Sequence, residues 1–258
     1  MLENIKCFLL DMDGTIYLGD KLLPGTIEFL DLLKGRGIGY LFLTNNSSKG
    51  AVQYVEKLKR FGINVDKQQI LTSGEATALF LKKEKPDKSI YLVGTQALKN
   101  VFISHGFKLV ETDPDIVVLG FDTTLTYEKL RKCCDFIREG KSYLATHPDI
   151  NCPTENGFMP DIGSFMALIE SSTGRKPDSV IGKPHKEMVQ AILNWTGLEK
   201  QEVAMIGDRM YTDIALGKSG ITTILVLSGE SKISDIESAE IKPDYVVKGL
   251  DELVGKLK

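Results

Sequence analysis

Short apolar runs alternate along this chain with longer segments in which apolar positions recur at helical spacing. Residues 6–10, Lys-Cys-Phe-Leu-Leu, read as a buried strand. Residues 26–34 read as a helix with Ile27, Leu30 and Leu33 on one face, ended by Gly35. Residues 40–43 form a second apolar strand that runs into Thr44-Asn45-Asn46. Ser48 is the expected cap of a helix reaching about Arg60, with Val52, Val55 and Leu58 inward. Ile70 and Leu71 open a short third strand, followed by Thr72-Ser73-Gly74. This alternation predicts parallel βαβ units and an α/β fold.

The middle of the chain repeats the style with new strands at 89–93, 116–119 and 142–145, and its clearest helices at 98–104 and 127–138. Residues 147–163 contain Pro148, Pro153, Gly157, Pro160 and Gly163, and are expected to be a long loop. The last third returns to the opening pattern. A strand at 203–206 ends in Gly207-Asp208, and one at 222–227 ends in Ser228-Gly229. A strand at 245–247 and a helix at 250–257 follow. The expected organisation is one domain made of 1–78 and 182–258, with 79–181 inserted as a second.

Composition narrows the function classes. Hydrophobic content of 42% and charged content of 26% over 258 residues are those of an ordinary globular protein. The formal net charge of -3 gives no basic surface for nucleic acid. No apolar run approaches the ~18 residues that span a membrane, and the N-terminus does not read as a signal peptide. Cys7, Cys133, Cys134 and Cys152 form no Cys-x-x-Cys pair, which argues against a zinc or redox motif. Cys133 and Cys134 share a helical stripe with Leu130 and Ile137, so both are expected in a core. A cytoplasmic location is the expectation.

The chemistry begins where the first strand ends, at Asp11-Met12-Asp13-Gly14-Thr15. Two carboxylates at a strand end are costly to bury unless a cation or hydrogen bonds compensate. A Mg²⁺ site with one carboxylate free to act as a nucleophile accounts for them. Asp-x-Asp-Gly is also a turn sequence. As a calcium loop it fails, because the fifth, seventh and twelfth positions are Thr15, Tyr17 and Leu22. Three further segments follow apolar strands or precede a helix. They are Thr44-Asn45-Asn46, Gly182-Lys183-Pro184 before a helix with Met188, Ile192 and Trp195, and Gly207-Asp208 with Asp213 beyond it.

Singly, each of these also reads as a turn, a cap or a solvated residue. Jointly they fit phosphoryl transfer, which needs an attacking oxygen, a cation and donors for the equatorial oxygens. Asp11 is the expected nucleophile and Asp13 the general acid and base. Asp11, the Asp13 carbonyl and Asp208 are the expected Mg²⁺ ligands. Thr44 and the backbone after it would donate to phosphate, and Lys183 would add a point charge.

Taken together, Asp11-Met12-Asp13-Gly14-Thr15, Thr44-Asn45-Asn46, Lys183 and Gly207-Asp208-Arg209 with Asp213 resemble the four motifs of the haloacid dehalogenase superfamily. The long insertion between the second and third motifs, with Ala145-Thr146-His147-Pro148-Asp149, resembles the type IIA subgroup of NagD-like and 4-nitrophenylphosphatase-like proteins. The resemblance covers essentially the whole chain. It implies a Rossmann-like parallel-sheet core, an inserted α/β cap and Mg²⁺-dependent phosphomonoesterase activity. It carries functional roles onto Asp11, Asp13, Thr44, Asn45, Lys183, Asp208 and Asp213, with Asn46 beside them and Asp213 joining the metal group. The cap would choose the substrate, with Asp149, Asn151 and Asp161 as polar contacts. His147 is the less expected contact, since a lone loop histidine is more often at the surface or structural.

The substrate class that follows is a small phosphorylated metabolite, a sugar phosphate, nucleotide, phosphoglycolate or pyridoxal phosphate. A phosphomutase on the same core and a metabolite-binding protein without turnover are the alternatives. No Gly-x-x-x-x-Gly-Lys-[Ser/Thr] loop supports ATP-driven chemistry. The residues leave oligomeric state open; caps of this size pair across subunits in similar proteins, which implies a homodimer through the cap as one arrangement.

Overall fold

The computed structural model describes residues 2–154 and 157–257. The chain forms two compact units, one of Met1–Thr44, Val55–Leu71 and Ile192–Lys258, the other of Asn45–Tyr54 and Thr72–Ala191.

The first unit is built on a six-stranded sheet. In spatial order its strands are Tyr245–Val247, Thr222–Val226, Val203–Gly207, Cys7–Leu10, Gly39–Thr44 and Ile70–Thr72. Neighbours from Tyr245–Val247 through Gly39–Thr44 run parallel. Leu9, Leu10, Phe42, Leu43, Met205, Ile206 and Leu225 are fully buried. That is why these strands read as continuous apolar runs rather than as alternating ones. Chain order moves outward from Cys7–Leu10 in both directions, so the sheet has its switch point there. Ligands of open α/β sheets bind outside the carboxyl ends of the strands at such a point. Leu10 lies opposite both Ile206 and Phe42. Asp11, Thr44 and Asp208 therefore leave the sheet at one edge.

The second unit holds a four-stranded parallel sheet in the order Ser179–Val180, Ser142–Ala145, Ile116–Leu119, Ile90–Val93. Helices Gln96–Ser104 and Tyr127–Arg138 start at Thr95 and Thr126, whose hydroxyls accept from Leu98 and Lys129. Val117, Leu119, Tyr143, Ile162 and Ile169 form its core together with Cys133 and Cys134, the two thiols expected there.

The structure corrects four local expectations. In the helix Thr26–Gly35 the buried positions are Thr26, Phe29, Leu30 and Leu33, and Ile27 is exposed. In Ala51–Arg60 the buried positions are Tyr54 and Leu58, and Val52 is exposed. Both expected stripes ran at i, i+3, i+6, a spacing that drifts round the helix. The buried faces follow i, i+3, i+4, i+7 or i, i+4 instead. Ser48 does not cap Ala51–Arg60; its N–H and hydroxyl both donate to Asn46 Oδ1, while the Gly50 N–H donates to Gln53 Oε1 at the helix start. Residues 147–163 are not a structureless loop. Asn151–Thr154 and Gly157–Pro160 pair antiparallel, and a helix runs over Ile162–Thr173. Pro153 and Pro160 are tolerated because each strand of this two-stranded sheet pairs on one side only among the described residues. Glu155 and Asn156 lie outside the described residues.

Candidate active site

The carboxylates of the first unit are placed by the ends of its strands. The Asp11 N–H still donates to Ile206 O, at 2.9 Å, so Asp11 is the last residue held by the ladder. The chain then turns at once: the Thr15, Ile16 and Tyr17 N–H groups converge on Met12 O, and Gly14 takes φ 90°. A side chain at Gly14 would also collide with Asp208, since its Cβ would lie 2.4 Å from Asp208 Oδ2. At Gly229 the corresponding distance is 2.0 Å. The Asp208 carboxylate thus occupies a notch that two glycines leave for it.

Asp11, Asp208 and Asp213 bring one carboxylate oxygen each within 4.8 Å of the others. Asp208 and Asp213 are buried and Asp11 is 9% exposed. Asp213 Oδ2 accepts from the Arg209 N–H at 3.1 Å, and Asp208 Oδ2 from the Glu230 N–H at 2.7 Å. Asp208 Oδ1 is buried with no hydrogen-bond partner among the described residues. At an effective dielectric constant of about 20, like charges this close repel by roughly 3 kcal/mol per pair. Burial first, then Asp11 and Asp213, push the Asp208 carboxyl up to about 8. A divalent cation removes this repulsion and takes the vacant oxygen, so the donor set fits a hard, oxygen-seeking metal.

Asp13 stands apart from the trio. Tyr17 donates to its Oδ2 at 3.4 Å, Lys57 Nζ lies 3.7 Å from the centre of the Tyr17 ring, and that ring stacks on Phe61. Burial raises the Asp13 carboxyl above the ordinary range and Asp11 adds to this, while Lys57, Tyr17 and Arg209 oppose it. A carboxyl that keeps its proton more readily suits a general acid. Thr44, the last residue of Gly39–Thr44, is buried at the same sheet edge.

The other motif residues belong to the second unit. The Lys183 N–H donates to Asn45 Oδ1 at 2.8 Å, and Asn45 Nδ2 donates to Lys183 O at 3.1 Å and to Asp149 Oδ1 at 2.9 Å. Lys183 is 2% exposed. Asp161 caps Ile162–Thr173 through the Ile162 N–H and lies 3.0 Å from His147 Nε2. His147 Nδ1 is 3.2 Å from Ser73 Oγ, whose hydroxyl donates to Asn45 O. Asn46 holds Ser48, and Asn151 is exposed on the hairpin. Sequence reasoning gave no role to Tyr17, Lys57, Ser73 or the Ser228-Gly229-Glu230 turn. Ser228 and Glu230 follow a strand parallel to the one that ends in Asp208, and that placement was the available signal. His147 is fully buried rather than at the surface.

The sequence profile of the haloacid dehalogenase-like hydrolases matches residues 8–108, and that of the HAD-hydrolase-like proteins matches 180–253. Over 259 aligned residues the chain is 37% identical to an acid sugar phosphatase of Staphylococcus epidermidis, covering all of both chains. The chain belongs to the haloacid dehalogenase-like hydrolases. Within that superfamily its structural neighbours are of type IIA. A 4-nitrophenylphosphatase from Thermotoga maritima superposes with a TM-score of 0.97 at 52% identity, covering 100% of this chain and 99% of that one. NagD from E. coli K-12 gives 0.89 at 32% identity, covering 96% and 98%. These relatives are phosphatases or NagD.

Proposed function

We propose that this hydrolase releases inorganic phosphate from small phosphate monoesters, sugar phosphates foremost, with Mg²⁺ and through an aspartyl-phosphate on Asp11. The observation that carries the reading is the trio Asp11, Asp208 and Asp213 with its unpartnered Asp208 oxygen. The named relatives support the reaction class.

Asp11, Asp208, the Asp13 carbonyl and Asp213 would hold the cation. When bound, it offsets negative charge on the carboxylates and on the phosphoryl oxygens. Asp11 attacks phosphorus as the ester P–O bond breaks, and the departing alkoxide takes a proton from Asp13. Asp13, now a carboxylate, removes a proton from water, and the resulting oxygen nucleophile displaces Asp11 from phosphorus. Thr44 and the backbone through Asn45 and Asn46 donate to the phosphoryl oxygens, and Lys183 supplies positive charge.

The same reading gives 1–78 and 182–258 to catalysis and 79–181 to substrate choice. Of the expected substrate contacts there, Asn151 is the exposed one, while Asp149 and Asp161 have partners inside their unit. It also pairs two copies through the cap, where Ile150 and Phe158 expose apolar surface. A reducing cytoplasm fits a chain whose buried Cys7, Cys133 and Cys134 are thiols. No helix among the described residues is long and apolar enough to cross a membrane.

The test is phosphate release from a panel of phosphomonoesters with Mg²⁺ and with EDTA. Metal-dependent release, greatest with sugar phosphates, is the expected result. No release from any ester by the folded protein would overturn the reading.

A further inference from the structure

We infer that Asp149 is a positioning residue for Lys183 and not a substrate contact; the inference deepens the phosphatase reading above and rests on it for the role of Lys183. The Asn45 side chain meets the Lys183 backbone from both sides, accepting from its N–H and donating to its carbonyl. A primary amide can make this pair of bonds in only one orientation, because Oδ1 accepts and Nδ2 donates. Asp149 settles that orientation. Its Oδ1, in a side chain only 5% exposed, takes the second Nδ2 proton at 2.9 Å. A flipped Asn45 would set its oxygen against a carboxylate and against the Lys183 carbonyl.

The backbone of Asn45 is anchored separately. Ser73 donates to Asn45 O, and His147 connects Ser73 to Asp161. Gly182 is what lets Lys183 approach this assembly. A Cβ there would lie 2.5 Å from His147 Cβ and 2.7 Å from Asn45 Oδ1. Lys183 is thus held through its main chain by Asn45, Asn45 is oriented by Asp149, and neither step needs a substrate. Loose placement of a catalytic group slows the chemical step rather than weakening binding.

The experiment compares Asp149→Ala and Asp149→Asn with the wild-type chain on a sugar phosphate, 4-nitrophenyl phosphate and a nucleoside monophosphate. Asp149→Ala is expected to lower kcat by about ten- to a hundred-fold, by one common factor on all three esters, with KM nearly unchanged. Asp149→Asn keeps an oxygen for Asn45 Nδ2 and is expected to restore most of that loss. A loss that differs among the esters, or that falls on KM alone, would show a substrate contact and overturn the inference. Hydrogen exchange of the Lys183 amide gives a readout independent of turnover. Faster exchange in Asp149→Ala than in wild type is expected, and equal exchange overturns the inference whatever the kinetics. If the wild-type chain hydrolyses no ester while the exchange still responds, the phosphatase reading fails and the positioning of Lys183 stands.

Discussion

Each unit of this protein buries a cluster of ionisable groups with ligand atoms within 4.8 Å of one another: Asp11, Asp208 and Asp213 in one, His147, Asp149 and Asp161 in the other. In the second cluster the groups answer each other. Asp161 has the His147 ring and the Ile162 N–H, and Asp149 has Asn45. In the first cluster three acids lie together; Asp208 and Asp213 accept from the Glu230 and Arg209 N–H groups, and one buried Asp208 oxygen has no hydrogen-bond partner among the described residues. Both clusters are largely buried, Asp11 least so, and burial alone does not mark a reaction centre. What separates them is the mixture of acid, imidazole and amide in one against three carboxylates with an unpartnered Asp208 oxygen in the other. A complete network holds a shape, whereas an incomplete one of like charges calls for a cation.

The sharpest way to separate the clusters is by activity. Asp11→Asn is expected to lower phosphate release by a factor on the order of 10⁴ or more while leaving the fold intact. Near wild-type turnover in that variant, measured under saturating ester, would remove the covalent role. On stability the ranking reverses. Asp161→Ala breaks a helix cap and strands a buried histidine, and should cost about 2–4 kcal/mol in urea unfolding. A loss below about 0.5 kcal/mol would mean that the second cluster is not the structural one. The smallest effect is with pH. The Asp208 carboxyl is raised by folding from 3.8 to about 8, so the folded state binds more protons than the unfolded chain across that window. Without divalent cation, stability should therefore fall as pH rises between these values, and added Mg²⁺ should flatten the slope. A thermal midpoint that rises over the same range in EDTA would contradict the repulsion ascribed to the trio.

Much of the first cluster was legible in the sequence because its chemistry sits at strand ends. An apolar run followed by Asp-x-Asp, or by Gly-Asp, is a local pattern, and parallel strands bring such ends together. The i, i+3, i+4, i+7 stripe of Leu130, Cys133, Cys134 and Ile137 was read correctly for the same reason. The i, i+3, i+6 stripes through Ile27 and Val52 were not, because near-regular spacing hides a drift of face. The second cluster was harder. Asn45, Ser73, His147 and Lys183 are far apart in the chain, and nothing local announces that an amide and a main chain will meet. Pro153 and Pro160 concealed a hairpin, since proline marks loops more often than the free edges of a two-stranded sheet.

Asp11, Asp208 and Asp213 are proposed above to hold a divalent cation. The most direct test is the thermal midpoint of the wild-type chain and of Asp208→Asn, each titrated with Mg²⁺ from EDTA near pH 8. Wild type should rise by about 5 °C or more at saturation. Asp208→Asn should start higher, freed of one repelling charge, and respond little. Equal responses from the two proteins, or none from wild type, would contradict the claim.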